Sequence, residues 1–361
     1  MATMTNMIQY VTQTKQTFSD RPLTEVDAAI FAQAAYFDFL DLERRHLTQF
    51  SQLTDAGLQA RLTKTNWFPA KGQALLLALS HSPRFSAVSW ANYQQRTRQS
   101  TQEQFAALTF DLGGGDYVVS FRGTTSTLVG WAEDFNMSYL PTVPSQRSAV
   151  KYLTDQMQAH PGRYWLVGHS KGGNLAIFAF ENLPVALQAD IQAVYSFDGP
   201  GGLPHQPLLE QRITKLVPQT AIVGILMTAD QHFSVVQSDA TMIFQHDLFS
   251  WQVIGEQFVR LAQTDWFSQY TQRMLTTWLA TLKPDVRKNI LRNLYGVLDV
   301  GDAKTMAELG QSLPRDLPLY LSELRKTDPL TRQQIQSAGR AMFGAISSSW
   351  SRRKSTNKKS D

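Results

Sequence analysis

The chain has 361 residues, 43% of them hydrophobic and 18% charged, with a formal net charge of +4 and no cysteine. That is globular composition with ample material for a core. It excludes disulfide and thiolate chemistry, and no apolar run reaches the roughly 20 residues that a membrane-spanning helix needs.

The first twenty residues carry no basic patch followed by an apolar run, so no signal peptide is expected. A cysteine-free chain suits a reducing compartment, and the cytoplasm is the expected location. Thr24-Glu25-Val26-Asp27 reads as a helix start, with apolar positions continuing at Ile30, Phe31, Ala34, Ala35 and Phe39. A polar, helical stretch is expected to about Tyr93. Phe105 to Leu112 and Tyr117 to Phe121 read as strands joined by Gly113-Gly114-Gly115-Asp116, a hairpin. Val150, Leu153 and Met157 give Gln146 to Gln158 a helical spacing. Strands follow at Tyr164–Val167, Ile191–Phe197, Ile213–Val217, Ala221–Met227 and Phe233–Gln237, with a last one at Met242–Phe244. From Trp251 onward, through Trp278, Leu291 and Leu321, the pattern is helical and rather polar.

Strands alternating with helices imply an α/β fold, a mostly parallel central sheet flanked by helices, with a C-terminal helical region. The expected organisation is a catalytic-type domain over 18–250, a helical region or cap over 251–345 and a basic tail over 346–361. Arg352, Arg353, Lys354, Lys358 and Lys359 lie in that serine-rich tail, which is expected to be solvated and disordered. It offers at most a weak contact to an anionic membrane surface, and no specific nucleic-acid partner is expected. No zinc spacing, P-loop or dinucleotide fingerprint occurs, so no cofactor is expected.

Gly168-His169-Ser170-Lys171-Gly172 stands between the strand Tyr164–Val167 and the helical run Gly173–Phe180. Strand, G-x-S-x-G and helix together make the setting of a nucleophile elbow. Glycines let the turn close, the serine hydroxyl is raised above the sheet, and the Lys171 amide lies at a helix N-terminus where a developing oxyanion is favoured. Ser170 is the candidate nucleophile. A serine needs a neighbour to take its proton, and histidine suits that role near neutral pH. In the chain order serine, acid, histidine the base comes downstream, and of His205, His232 and His246 the last follows the final strand. The acid must sit at a carboxyl strand end. Asp198 directly follows Ile191–Phe197, with Asp230 the second choice. The second oxyanion donor should come from another strand end, and Phe121-Arg122-Gly123-Thr124 points to Thr124. Arg122 is expected in a structural ion pair, to Asp134 or Asp198. Trp131 and Asp134 are expected to brace the oxyanion loop.

Phe121-Arg122-Gly123-Thr124 and Gly168-His169-Ser170-Lys171-Gly172, with Trp131 and Asp134 between them, resemble the class 3 lipases of the α/β-hydrolase superfamily. The chain is more closely similar to a bacterial group of lipase-like proteins, the Mbeg1-like group (DUF2974), over roughly Phe18 to Trp251. Leu128-Val129-Gly130-Trp131, Ser196-Phe197-Asp198-Gly199-Pro200-Gly201, Pro218 to Gly224 and Gln245-His246-Asp247 carry that similarity. The resemblance implies Ser170 as nucleophile and the Thr124 and Lys171 amides as oxyanion donors. It further implies hydrolysis of a small-molecule or lipid ester. Class 3 lipases usually carry the acid one strand later, in a pattern like D-[IVP]-V-P. Here Thr220-Ala221-Ile222-Val223-Gly224 has no carboxylate, which leaves two readings: an acid moved to Asp198, or a lipase-like binding protein whose triad is lost.

Overall fold

The computed structural model of the protein describes residues 4–125, 128–137, 140–201, 207–225 and 232–281, with positions 322, 329 and 333. The chain forms two compact units. The first comprises Met1–Thr125 and Thr142–Thr264, the second Ser126–Pro141 and Asp265–Asp361.

Unit 1 opens with helices α1 (Met7–Gln13), α2 (Glu25–Ala34), α3 (Phe39–Arg44), α4 (Ala56–Leu62) and α5 (Pro69–His81). Thr24 caps α2 as expected: its hydroxyl accepts from the Asp27 amide, and the Asp27 carboxylate accepts from the Thr24 amide at 2.8 Å. Asp27 is also fully buried against Arg84 at 2.6 Å. The Arg84 guanidinium further donates to the carbonyls of Gln16, Thr17, Arg21 and Pro22, tying the segment before α2 to the core.

Three strands follow, β1 (Ser89–Arg98), β2 (Glu103–Gly113) and β3 (Asp116–Phe121), all antiparallel to their neighbours in this trio. After α6 (Leu128–Met137), which belongs to unit 2, come α7 (Pro144–Ala159), β4 (Arg163–His169), α8 (Lys171–Glu181) and α9 (Val185–Gln188). Then come β5 (Ile191–Phe197), α10 (Pro207–Glu210), β6 (Ile213–Pro218) and β7 (Ser234–Val236). The short strands β8 (Val253–Ile254), β9 (Gln257–Phe258) and β10 (Arg260–Leu261) complete unit 1. The eight-stranded sheet runs β1-β2-β3-β4-β5-β6-β7-β10, with β3 through β7 parallel and β10 antiparallel to β7.

The period of two along a strand sends successive side chains to opposite faces. Val167, Phe197 and Leu216 join one core, with α1, α2 and α5 residues such as Val11, Phe31 and Leu76. Leu166, Val194 and Phe121 join the other, with Tyr152 and Leu153 of α7 and Leu175 and Phe180 of α8. A parallel sheet buried on both faces gathers its chemistry at the carboxyl edge.

Four expectations are corrected. Ser89–Arg98 is an edge strand rather than part of a helical stretch. Its register shifts between Ala91 and Gln94, with Asn92 at φ 59°, and that bulge breaks the alternation a strand should display. Residues 221–225 form turns, not a strand. Met242–His246 is a 3₁₀ turn, not a strand, and leaves Ile243 and Phe244 exposed. Trp251–Trp266 is not a helix: Trp251 is fully buried, donates its indole N–H to the Gln245 carbonyl at 2.8 Å, and packs edge-on against Phe258. β8 and β9 pair through Gly255, at φ 60°, so this stretch closes unit 1 instead of opening a helical region.

In unit 2, α11 (Trp266–Thr281) begins where the Asp265 carboxylate accepts from the Ser268 amide at 2.9 Å. Asp230, most of the 282–345 stretch and the 346–361 tail lie outside the described residues.

Candidate active site

Ser170 lies between the end of β4 and the start of α8, at φ 58° and ψ −133°. A non-glycine residue there is strained, and such strain persists where the surrounding structure over-determines it. The surroundings are glycine backbone. A Cβ on Gly168 would overlap the Gly172 carbonyl, one on Gly172 would overlap the Phe121 carbonyl, and one on Gly123 would come within 2.5 Å of the His169 carbonyl. The β3 end and the β4–α8 turn are therefore pressed backbone to backbone, which puts Thr124 beside the serine turn.

Asp198 follows β5 at φ 47° and is 1% exposed. Its Oδ1 accepts from the Gly224 amide at 3.0 Å, and its Oδ2 lies 2.6 Å from His246 Nδ1. A carboxylate accepts, so Nδ1 carries the proton and Nε2 is left with its lone pair. The turn at residues 221–225 thus covers Asp198, which explains an apolar run that is not a strand. His246 ends the 3₁₀ turn with about a quarter of its side chain exposed. The next residue, Asp247, is buried, pairs with Lys71 at 2.7 Å and caps the turn at the Phe249 amide. The Ser170 hydroxyl makes no hydrogen bond among the described residues.

The structure brings Ser170, Asp198 and His246 together at one edge of the sheet, in unit 1, with Thr124 and Lys171 beside them. It does not give Arg122 the expected ion pair. Asp198 is committed to His246 and Gly224. Arg122 has no carboxylate within pairing distance among the described residues, and instead donates to the Tyr93 hydroxyl at 3.3 Å and to Gln95 Oε1 at 3.4 Å. Trp131 and Asp134 lie on α6, in unit 2.

Sequence reasoning missed three groups. Gln104 holds the loop after β3, its side chain exchanging hydrogen bonds with the Thr125 hydroxyl at 2.6 Å and amide at 2.9 Å. The buried Lys171 side chain reaches back to the Gln104 carbonyl at 2.8 Å, so the loop after β3 and the start of α8 both hang on one residue. The third group is Tyr36 with His169. The Tyr36 hydroxyl is 3.1 Å from His169 Nδ1, and His169 Nε2 is 2.8 Å from the His246 carbonyl. Burial, and then the neighbouring His246, hold the His169 imidazole well below its ordinary value. No local pattern announces these partners, because each comes from a distant segment.

Among the described residues no cluster of His, Cys, Asp and Glu could hold a metal ion, and no helix is long and apolar enough to cross a membrane. The sheet, its helical layers and the strained serine turn make this an α/β-hydrolase fold. The model of the Mbeg1-like family matches residues 79–296. The chain belongs to the Mbeg1-like family.

Among solved structures, this Mbeg1-like chain is similar to a lipase from Rhizopus microsporus var. chinensis, at 14% identity over 75% of this chain and 86% of that one, with a TM-score of 0.36. It is similar to lipase II from Rhizopus niveus at 14% identity over 71% and 89% of the two chains, TM-score 0.34. It is similar to M37 lipase at 15% identity over 56% and 68%, TM-score 0.32. No curated protein matches the chain.

Proposed function

We propose that this Mbeg1-like protein is a serine hydrolase that cleaves carboxylic esters, of the acyl or lipid class, through an acyl-enzyme. The observation that carries the reading is the Asp198–His246 bond of 2.6 Å beside a serine held at strained φ and ψ. His246 Nε2 takes the Ser170 proton as Oγ bonds to the ester carbonyl carbon. The oxyanion rests on the Thr124 and Lys171 amides. The C–O bond to the leaving alcohol then breaks, and that alcohol takes the proton from His246. Water repeats the sequence on the acyl-serine, returning the carboxylic acid and free Ser170. Asp198 keeps the proton on Nδ1 and stabilises the imidazolium.

Exposed apolar side chains support an acyl substrate. Ile243 and Phe244, 56% and 64% exposed, immediately precede the His246 segment. Trp67 is half exposed and donates its indole N–H to the Thr124 carbonyl at 3.5 Å. Apolar side chains left in water beside polar groups are what an acyl chain would cover.

The wild-type protein should hydrolyse short p-nitrophenyl esters and accept a fluorophosphonate on Ser170. Ser170→Ala should lose on the order of 10⁴-fold or more of the rate, and adding His246→Ala should take away little further. Full activity in Ser170→Ala contradicts the assignment. A wild-type protein inert to ester and probe alike points to a binding protein that keeps the fold without turnover.

A further inference from the structure

We infer that Tyr36 and His169 form a buried clamp that positions His246, making both of them positioning residues for the reaction proposed above, on which this inference rests. The hydrogen bonds leave one arrangement of protons. The His246 carbonyl can only accept, so His169 Nε2, at 2.8 Å, carries the hydrogen. A neutral imidazole has one N–H, so Nδ1 is a lone pair, and the Tyr36 hydroxyl at 3.1 Å donates into it. Both ring nitrogens of His169 are thereby used.

The His169 ring also packs on the His246 ring, with centroids 4.5 Å apart and planes tilted by 39°. His246 is consequently held at three places: Nδ1 by Asp198, the main-chain carbonyl by His169 Nε2, and one ring face by the His169 ring. Burial of His169 keeps its ring uncharged, as noted above. That matters when His246 becomes a cation, because a second cation at this distance would oppose the proton transfer. Tyr36 reaches the clamp from the end of α2, and its hydroxyl occupies the space where a side chain on Gly123 would go. The clamp, the oxyanion loop and the serine turn therefore touch one another.

Two substitutions separate hydrogen bonding from packing. His169→Gln keeps a donor able to reach the His246 carbonyl but loses the ring. His169→Phe keeps a ring to pack on His246 but loses the donor. The clamp predicts that the Gln variant stays within about threefold of wild-type kcat, while the Phe variant loses about tenfold or more with KM unchanged. A role in packing alone predicts the reverse order. Independently of turnover, histidine ¹⁵N NMR of the wild type and of Ser170→Ala should find His169 neutral and protonated on Nε2 from about pH 5.5 to 8.5. A Phe variant as active as wild type, a Gln variant more damaged than the Phe variant, or a His169 that titrates in that range or is protonated on Nδ1 overturns the clamp. Failure of the wild type to hydrolyse esters rejects the hydrolase reading instead, and the tautomer measurement still decides the clamp.

Discussion

Ser170 at φ 58° and Asp198 at φ 47° occupy a backbone region that side-chain-bearing residues avoid. Ser170, whose ψ of −133° lies outside the left-handed well that aspartate tolerates, costs about 1–3 kcal/mol, which the dense surroundings must hold in place. Both backbone positions were legible in the sequence: a serine between glycines at a strand–helix junction, and an aspartate at the next strand end before Gly199-Pro200. Arg122 was misread because a buried arginine suggests a carboxylate, whereas Tyr93 and Gln95 arrive on an edge strand that the sequence disguised. Gly123 tests the closeness of the site. Its missing side chain leaves room for the Tyr36 hydroxyl and the His169 carbonyl. Gly123→Ala should push the loop after β3 off the serine turn, destabilising the fold by about 1–3 kcal/mol. A displacement near 1 Å should lower kcat by about 100-fold. Thermal melts and steady-state kinetics measure the two effects, and an alanine variant indistinguishable from wild type would contradict so close an approach.

The alternating strands and helices from β2 to β7 could be read from the sequence because buried parallel strands are short apolar runs and their helices repeat at helical spacing. The same rule misled at residues 221–225, where the apolar side chains Ala221 and Ile225 are buried under the site without pairing in a sheet. Apolar content reports burial, and only its period reports the element. The loop after β3 depends on β2 for its position. The Gln104 side chain bonds the Thr125 amide and hydroxyl, and its carbonyl receives the Lys171 ammonium. Gln104→Leu would leave those two half-buried Thr125 groups without this partner. Stability should fall by about 1–3 kcal/mol. The rate should fall by about tenfold through kcat, with KM little changed, since a loosened donor weakens the transition state more than substrate binding. A KM increase at constant kcat would instead place the loop in substrate binding.

In unit 1 as a whole, burial on both faces of the sheet carries stability, and it also traps ionisable groups. Lys215 of β6 is 3% exposed, and burial pushes its ammonium down from 10.5 to about 7, against the opposing pull of Asp198. Between those values the unfolded chain binds a proton that the folded protein does not, so this group makes stability rise with pH there. Below about 7 both states bind the proton and the penalty is constant. Denaturant unfolding of wild type and Lys215→Met should therefore converge or cross as pH rises from 7.5 to 9.5, by up to about 1.4 kcal/mol per unit. Parallel curves would mean that the lysine stays charged in the fold. The central claim concerns the alcohol at position 170, and intact-protein mass after fluorophosphonate treatment tests it most directly. The account predicts a single adduct on the wild type, mapped to Ser170 and absent from Ser170→Ala. An unmodified wild type, or an adduct that survives the substitution, would contradict it.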